Sequence, residues 1–311
     1  MALHRLTQIT IGVPDVGAVS DYYAEFGLEP IGDLGAGTAR RFGTVGGGEQ
    51  MSLVPSARRR LVELRVGADD PDDIARIAVS LARIGVIMQF RGPRLFAHEP
   101  GTGVNVVVEV AGRLVQRPTP MPVYNAPGYG GRPDVRAAGV LREARVRPRK
   151  LGHVVLGSTD QEGSQRFFTE GLGFKVSDSV PGLAAFMRCS TDHHNVLVQQ
   201  APVPFLHHTS WQVEDVDEVG RGASAMLEKD PGRHVWGLGR HHIGSNFFWY
   251  LRDPAGNFSE YYADLDCIVD DELWTPRDWE GMRGSYDWGP PPPASFLAPE
   301  DVAALMVGVG A

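Results

Sequence analysis

The chain carries only two cysteines, Cys189 and Cys267, in 311 residues, so no disulfide framework holds it and a reducing compartment suits it. No apolar run approaches the roughly 20 residues that a membrane-spanning helix needs. The opening MALHRLTQITIGV lacks a basic stretch followed by an apolar one. A cytoplasmic protein with no membrane partner is the expectation. Positive charge is also short: 30 Lys and Arg against 38 Asp and Glu leave a net charge of −8, which gives no electrostatic reason to expect nucleic acid. Histidine is scarce in the first half, where only His4 and His98 occur, whereas eight lie between His153 and His242. Imidazole chemistry therefore belongs to the second half.

What is present begins with a repeat. Four segments share one pattern, a strand that ends in an acidic or hydroxyl helix cap: Leu6-TQITIGVPD, Leu61-VELRVGADDPDDI, Leu151-GHVVLGSTD and Leu206-HHTSWQVEDVDEV. The first two start 55 residues apart, as do the last two, and the halves are offset by 145 residues without gaps at these points. An amphipathic helix follows each strand. Asp70-Pro71 opens one with Ile74, Ile77, Ala78 and Leu81 at helical spacing and Gly85 as its stop; Val216, Val219, Ala223 and Met226 repeat the pattern. Ser158 or Thr159 is the expected cap of the third, with Phe167 and Phe168 turned inward. Each unit reads as strand, helix, then two or three antiparallel strands. This predicts an α+β chain of two similar domains, each of two paired βαβββ modules.

The expected divisions are a first domain at 1–112, a linker at 113–150, a second domain at 151–266 and a tail at 267–311. The linker is rich in Pro, Gly and Arg, and proline at that density precludes regular ladders. Its basic run Arg142–Lys150 reads as a solvated connector. The tail sets Trp274, Trp279, Tyr286 and Trp288 before Pro290–Pro293. It either folds over the mouth of the second domain as an aromatic wall or packs on the sheet exterior or a neighbouring subunit.

The chemistry centres on Gly239–Tyr261, GRHHIGSNFFWYLRDPAGNFSEY. An aromatic strand, an Asp-Pro-Ala-Gly turn and a second strand bearing Glu260 follow one another. A carboxylate among Phe258, Tyr261 and Tyr262 is costly to bury without a partner, so it faces solvent or a cation. The repeat tests which. His153 falls on Gln8, His208 on Glu63, and Glu260 on Val106 or Val107, depending on one inserted residue. A structural role would be served alike in both halves; an asymmetric set of two imidazoles and one carboxylate matches the facial ligand triad of non-haem Fe(II). A lone strand histidine is more often a hydrogen-bonded core or surface residue, so the case rests on the set.

Leu151-Gly152-His153, Leu206-His207-His208-Thr209-Ser210-Trp211 and the Gly239–Glu260 signature together resemble the type I extradiol ring-cleavage dioxygenases of the vicinal-oxygen-chelate superfamily. Trp249 departs from the pattern, standing where an aliphatic residue or Phe usually precedes the tyrosine. The resemblance covers nearly the whole chain and implies a first domain without metal and a second that binds Fe(II), or Mn(II), through His153, His208 and Glu260. It implies His194, His241 and Tyr250 as catalytic residues around a catecholic substrate and O2, and a homo-oligomer. His194 would stabilise charge on oxygen and return a proton; His241 and Tyr250 would steady the catecholate. Strand alternation turns His207 to the face opposite His208, which makes it structural. His242 and His234 read as surface and loop residues. Phe186, Phe247 and the tail suit an apolar catechol, bicyclic or aryl-substituted.

Two other readings compete. A glyoxalase-like isomerase would use Zn(II) or Ni(II) and needs a fourth protein ligand near Gln199 or Gln200. A binding protein that sequesters small molecules would need no triad at all.

Overall fold

The alternating and wholly apolar runs become strands, and the acid-capped segments become helices. A computed structural model describes residues 2–32 and 39–306. Its first half runs β1 (Leu3–Val13), α1 (Val16–Phe26), β2 (Glu29–Ile31), β3 (Arg40–Thr44), β4 (Gly48–Pro55), β5 (Arg60–Ala68), α2 (Pro71–Arg83), β6 (Met88–Arg91), β7 (Arg94–Glu99) and β8 (Val104–Val110). The second half repeats this as β9 (Lys150–Ser158), α3 (Gln161–Arg166), β10 (Lys175–Val180), β11 (Ala184–Arg188), β12 (Val196–Gln200) and β13 (Phe205–Gln212). It continues through α4 (Val216–Lys229), β14 (His234–Arg240), β15 (Phe247–Arg252) and β16 (Phe258–Ala263).

The two halves make two eight-stranded sheets of the same order, β2-β3-β4-β1-β5-β8-β7-β6 and β10-β11-β12-β9-β13-β16-β15-β14. In each, the leading strands of two βαβββ units pair antiparallel at the centre, and the last strand of each unit lies parallel to its leader. This is the paired-module α+β fold that the repeat predicted.

All four leading strands hand over to a helix in one way. Asp15, Asp70, Asp160 and Asp215 accept from the amides of Ala18, Asp73, Gly163 and Glu218, caps worth about 1 kcal/mol each. The third cap is therefore Asp160 and not Ser158 or Thr159. Ser158 Oγ instead accepts from the Asp160 amide at 3.0 Å, because its side chain is buried at the strand end.

The halves share one core. Helix α1 of the first lies on the back of β16: Phe26 stacks on Tyr261 at 3.8 Å with 2° between the planes, Tyr261 Oη–H donates to the Phe26 carbonyl, and Tyr22 Oη meets Ser259 Oγ. Alternation then puts Glu260 on the other face of β16. The basic run of the linker is only partly solvated: Arg145 and Arg147 are exposed, but others are held. Arg142 grips Asp215 at 2.9 and 2.5 Å, Arg149 pairs with Glu214, Lys150 with Asp192, and Val146 is buried. Acid-rich helix starts and loops at the domain junction supply the partners that water was expected to supply.

Beyond β16 the chain returns along the second half as short turns, α5 (Ala294–Leu297) and α6 (Val302–Met306). Arg59 of the first half holds Asp301 at 2.5 and 2.7 Å, and Arg58 donates to the Leu305 carbonyl at 3.0 Å.

Candidate metal centre

Two β-bulges aim the histidines. On β9 and β13, Ser210 pairs with His153 and Trp211 with Leu151, which leaves Gly152 as an extra residue; Leu206 pairs with Leu156 and His208 with Val155, which leaves His207 as another. A bulge breaks strict alternation and re-aims its neighbours. Gly152 has no side chain because Tyr262 fills the space: an added Cβ would lie 2.1 Å from Tyr262 Oη. At the second bulge, His207 and His208 turn to the same side, and both line one cavity. The expectation that His207 points away is thus corrected. The same bulge recurs in the first half at Val62, since Thr10 pairs with Glu63 and Ile11 with Leu61, so the fold imposes it.

From this frame the structure brings His153, His208 and Glu260 together. His153 Nε2 lies 3.1 Å and His208 Nε2 3.7 Å from Glu260 Oε2, and the two imidazole nitrogens are 3.4 Å apart. All three residues are buried, Glu260 completely. Ligand atoms about 2.1 Å from a single ion stand about 3.0 Å apart on an octahedral face and about 3.4 Å apart in a tetrahedron. The spacing fits one divalent ion. Glu260 Oε2 is buried with no hydrogen-bond donor, while Oε1 accepts from Asn246 Nδ2 at 3.1 Å. Burial raises the Glu260 carboxyl, and His153 followed by His241 lower it by more, so the net direction is below the ordinary value when those imidazoles carry a proton. Among the described residues this is the one cluster of three potential ligands. In the first half, Gln8 donates to Glu49 at 2.8 Å, Glu63 pairs with Arg65 at 2.6 Å, and the register sets Val107 opposite Arg65 as Glu260 stands opposite Ser210. Those polar groups satisfy one another and offer no vacancy for a cation.

His153, His208, His194, His241 and Tyr250 line a cavity of about 460 Å³. Its histidines occur in hydrogen-bonded chains whose proton positions follow from their ends. His207 Nε2 is 2.7 Å from the Phe296 carbonyl, which only accepts, so Nε2 carries hydrogen. Burial pushes His207 down to about 4, so it is neutral at neutral pH and its Nδ1 is bare. His208 Nδ1, 2.7 Å away, must then donate to it, leaving His208 Nε2 bare and facing Glu260. His153 has no such support, its Nδ1 being buried without a partner.

His241 is fixed similarly. The Ser285 carbonyl, 2.5 Å away, accepts from His241 Nδ1–H, so the Tyr250 hydroxyl donates to Nε2 at 2.8 Å. Burial keeps His241 neutral, and burial together with the Glu260 charge raises Tyr250 well above the usual phenol value. On another wall, Asp178 Oδ2 accepts from His193 Nε2–H at 3.0 Å, and His193 Nδ1 meets His194 Nδ1 at 3.0 Å. Burial, then the neighbouring imidazoles, lower His194 well below the ordinary range.

Several lining residues escaped the sequence reading. Trp236, Phe296 and Leu297 lie in segments whose local pattern carries no sign of the site, as does Asp178 behind His193. Phe186 lines the cavity as expected; Phe247 instead packs on Trp288 and under Arg240. Of the tail aromatics, Trp274 sits edge-on to His193 and Tyr286 against Trp236. His242 is exposed beside Asp287, and His234 opens β14, accepting from Trp249 Nε1. Gln200, weighed as a fourth ligand, is engaged with the Thr159 and Ala201 carbonyls and the Gln161 amide.

Comparison with known proteins agrees with this geometry. The sequence profile of the Glyoxalase/Bleomycin resistance protein/Dioxygenase superfamily matches residues 150–261. Metapyrocatechase 2 of Cupriavidus necator is 31% identical over 95% of this chain and 92% of its own length. An iron-dependent extradiol dioxygenase of Rhodococcus jostii is 32% identical over 41% of this chain and 47% of its own. Among solved structures, a Mn(II)-bound glyoxalase from Novosphingobium aromaticivorans superposes with a TM-score of 0.74 at 25% identity, covering 94% of this chain and 93% of that one. The chain belongs to the extradiol catechol dioxygenase family of that superfamily. It is an oxidoreductase, with a buried site suited to a divalent metal. No helix among the described residues is long and apolar enough to cross a membrane.

Proposed function

We propose that this chain opens the ring of an apolar-substituted catechol beside its two hydroxyls, using O2, at Fe(II) held by His153, His208 and Glu260. The observation that carries the reading is the convergence of the His153 and His208 Nε2 atoms on a buried carboxylate oxygen that has no hydrogen-bond donor, beside a cavity lined by paired proton carriers. Mn(II) suits the same N,N,O set, and availability decides between the two. The ion supplies Lewis acidity that eases loss of protons from a chelating diol.

The remaining work falls to side chains. Tyr250 passes its proton to His241 Nε2 as its oxygen accepts one from a diol hydroxyl, because the Ser285 carbonyl keeps His241 Nδ1–H in place. His194, tied through Nδ1 to His193 and Asp178, meets the cavity with Nε2 free to take up a proton and return it as the ring opens. Val155, Val180, Leu183, Phe186, Leu197 and Phe296 provide an apolar wall. Among the described lining residues none is Lys, Arg, Asp or Glu, so an ionic substituent finds no counter-charge there. A volume near 460 Å³ admits a bicyclic diol. We read residues 151–266 as the catalytic half, residues 1–112 as its support, and the working enzyme as a cytoplasmic homo-oligomer.

The test is anaerobic loading with Fe(II), followed by exposure to air with catechol, 3-methylcatechol, 2,3-dihydroxybiphenyl and 3,4-dihydroxyphenylacetate side by side. Yellow ring-opened products should form, with the uncharged substituted diols turning over best. No colour from any diol would refute the reading, and preference for the carboxylate-bearing diol would refute its substrate class. An isomerase would act with Zn(II) or Ni(II) and ignore O2.

A further inference from the structure

The outer hydrogen bonds of the site's histidines lead to one place. Phe296 closes the His207–His208 chain, the Ser285 carbonyl closes the chain of His241 and Tyr250, and the Arg277 amide donates to Asp178 Oδ1 at 2.8 Å behind His193 and His194. All three partners are backbone groups of residues 277–296, outside the repeated modules. Neither half of the repeat supplies them.

The chain through His207 bears on the metal ligands. A neutral histidine binds a metal through whichever nitrogen is bare, and the hydrogen bond made by the other nitrogen decides which that is. For His208 to offer Nε2, its hydrogen must sit on Nδ1. Only His207 receives it there, 2.7 Å away, and His207 can receive it only while its own hydrogen is drawn to Nε2 by the Phe296 carbonyl. Phe296 is held in turn by packing on Tyr250 at 4.6 Å and Trp236 at 4.8 Å, and the segment beyond it by Arg59 on Asp301. His207 itself occupies the bulge that turns it toward His208.

We infer that the C-terminal segment is a metal-retention latch: the Phe296 carbonyl, acting through His207 as a positioning residue, sets the tautomer of His208 and so slows loss of the ion. The inference rests on the reading that His153, His208 and Glu260 hold a metal. It extends that reading by making docking of the tail part of metal binding. When the tail leaves, His207 loses the bond that fixes its hydrogen, and His208 Nε2 is no longer kept bare.

The experiment measures anaerobic Fe(II) release to a chromogenic chelator from four proteins and their combination. These are the full chain, His207→Phe, His207→Asn, a chain ending at Pro293, and that truncation carrying His207→Phe. Partners behind a ligating histidine are worth 10–100-fold in metal affinity. His207→Phe and the truncation should therefore each release iron 10–100-fold faster, and together no faster than either alone. His207→Asn keeps an acceptor near the position of Nδ1 and should release iron within a few fold of the unaltered chain. Release at the unaltered rate from both His207→Phe and the truncation would overturn the latch, as would effects that multiply in the combined variant. A full chain that retains no Fe(II) would overturn the metal reading beneath it, and the two failures are distinct.

Discussion

Replacing Glu260 by Gln separates the charge of the carboxylate from its shape. Glu260 is fully buried, Oε1 accepts from Asn246, and Oε2 faces two imidazole nitrogens with no donor of its own. An amide fits the same space, still accepts from Asn246, and turns an N–H toward the imidazoles. Without metal, Glu260→Gln should therefore melt at or above the temperature of the unaltered protein, because a buried charge has gone and a donor has been added. With metal the order reverses. An ion at a hundred times its Kd stabilises the folded state by about 2.7 kcal/mol. With about 2.1 cal/mol/K of unfolding entropy per residue, 311 residues convert each kcal/mol into about 1.5 °C, so the ion raises Tm by about 4 °C. Thermal melts with and without Fe(II) or Mn(II), under nitrogen, should show that rise in the unaltered chain and none in Glu260→Gln. A metal-dependent rise of equal size in the variant would refute the argument, since the carboxylate would then contribute nothing to the ion.

Three further outcomes follow from the same contacts. His207 is held near 4 in the folded chain against about 6.5 unfolded, so its contribution is whole above 6.5 and fades as pH falls toward 4. About 2 kcal/mol should be lost by about pH 5, more if His194, His208 and His241, lowered likewise, add to it. A denaturant midpoint of metal-free protein unchanged between pH 7.5 and 5 would contradict this. Phe26→Ala removes the ring stacked on Tyr261 between the halves and should cost about 3–5 kcal/mol, read as a lower melting temperature; a loss under about 1 kcal/mol would mean the halves do not depend on that contact. Tyr250→Phe deletes the hydroxyl that joins the cavity to His241 and should lower kcat by about 10²-fold with little change in KM; unaltered kcat would remove the pair from the reaction.

How much of this could be read along the chain depends on what kind of information each residue carries. The fold was legible because the repeat states its pattern four times and each statement ends in a capping aspartate. The candidate ligands were legible because the first half serves as an internal control: Gln8, Glu63 and either Val106 or Val107 fill the places of His153, His208 and Glu260, and the structure then selects Val107 and pairs the two polar residues with Glu49 and Arg65. Alternation within β16 was enough to set Glu260 and Tyr261 on opposite faces.

His207 marks where such reading fails. Alternation turns it away from His208, whereas a bulge, formed because β13 slips by one residue on β9, turns it back. Register is a property of two strands together, and neither strand alone records it. The tail is a second case: nothing in Ser285 or Phe296 as residues marks their carbonyls as partners of His241 and His207. Backbone groups are the same in every sequence. Amino-acid order by itself therefore determined the modules, three of their four caps and the odd set of imidazoles and carboxylate. Only the crossing of strands and the return path of the tail decided where the hydrogens of His207, His208 and His241 sit, because proton position follows from contacts between segments far apart in the chain.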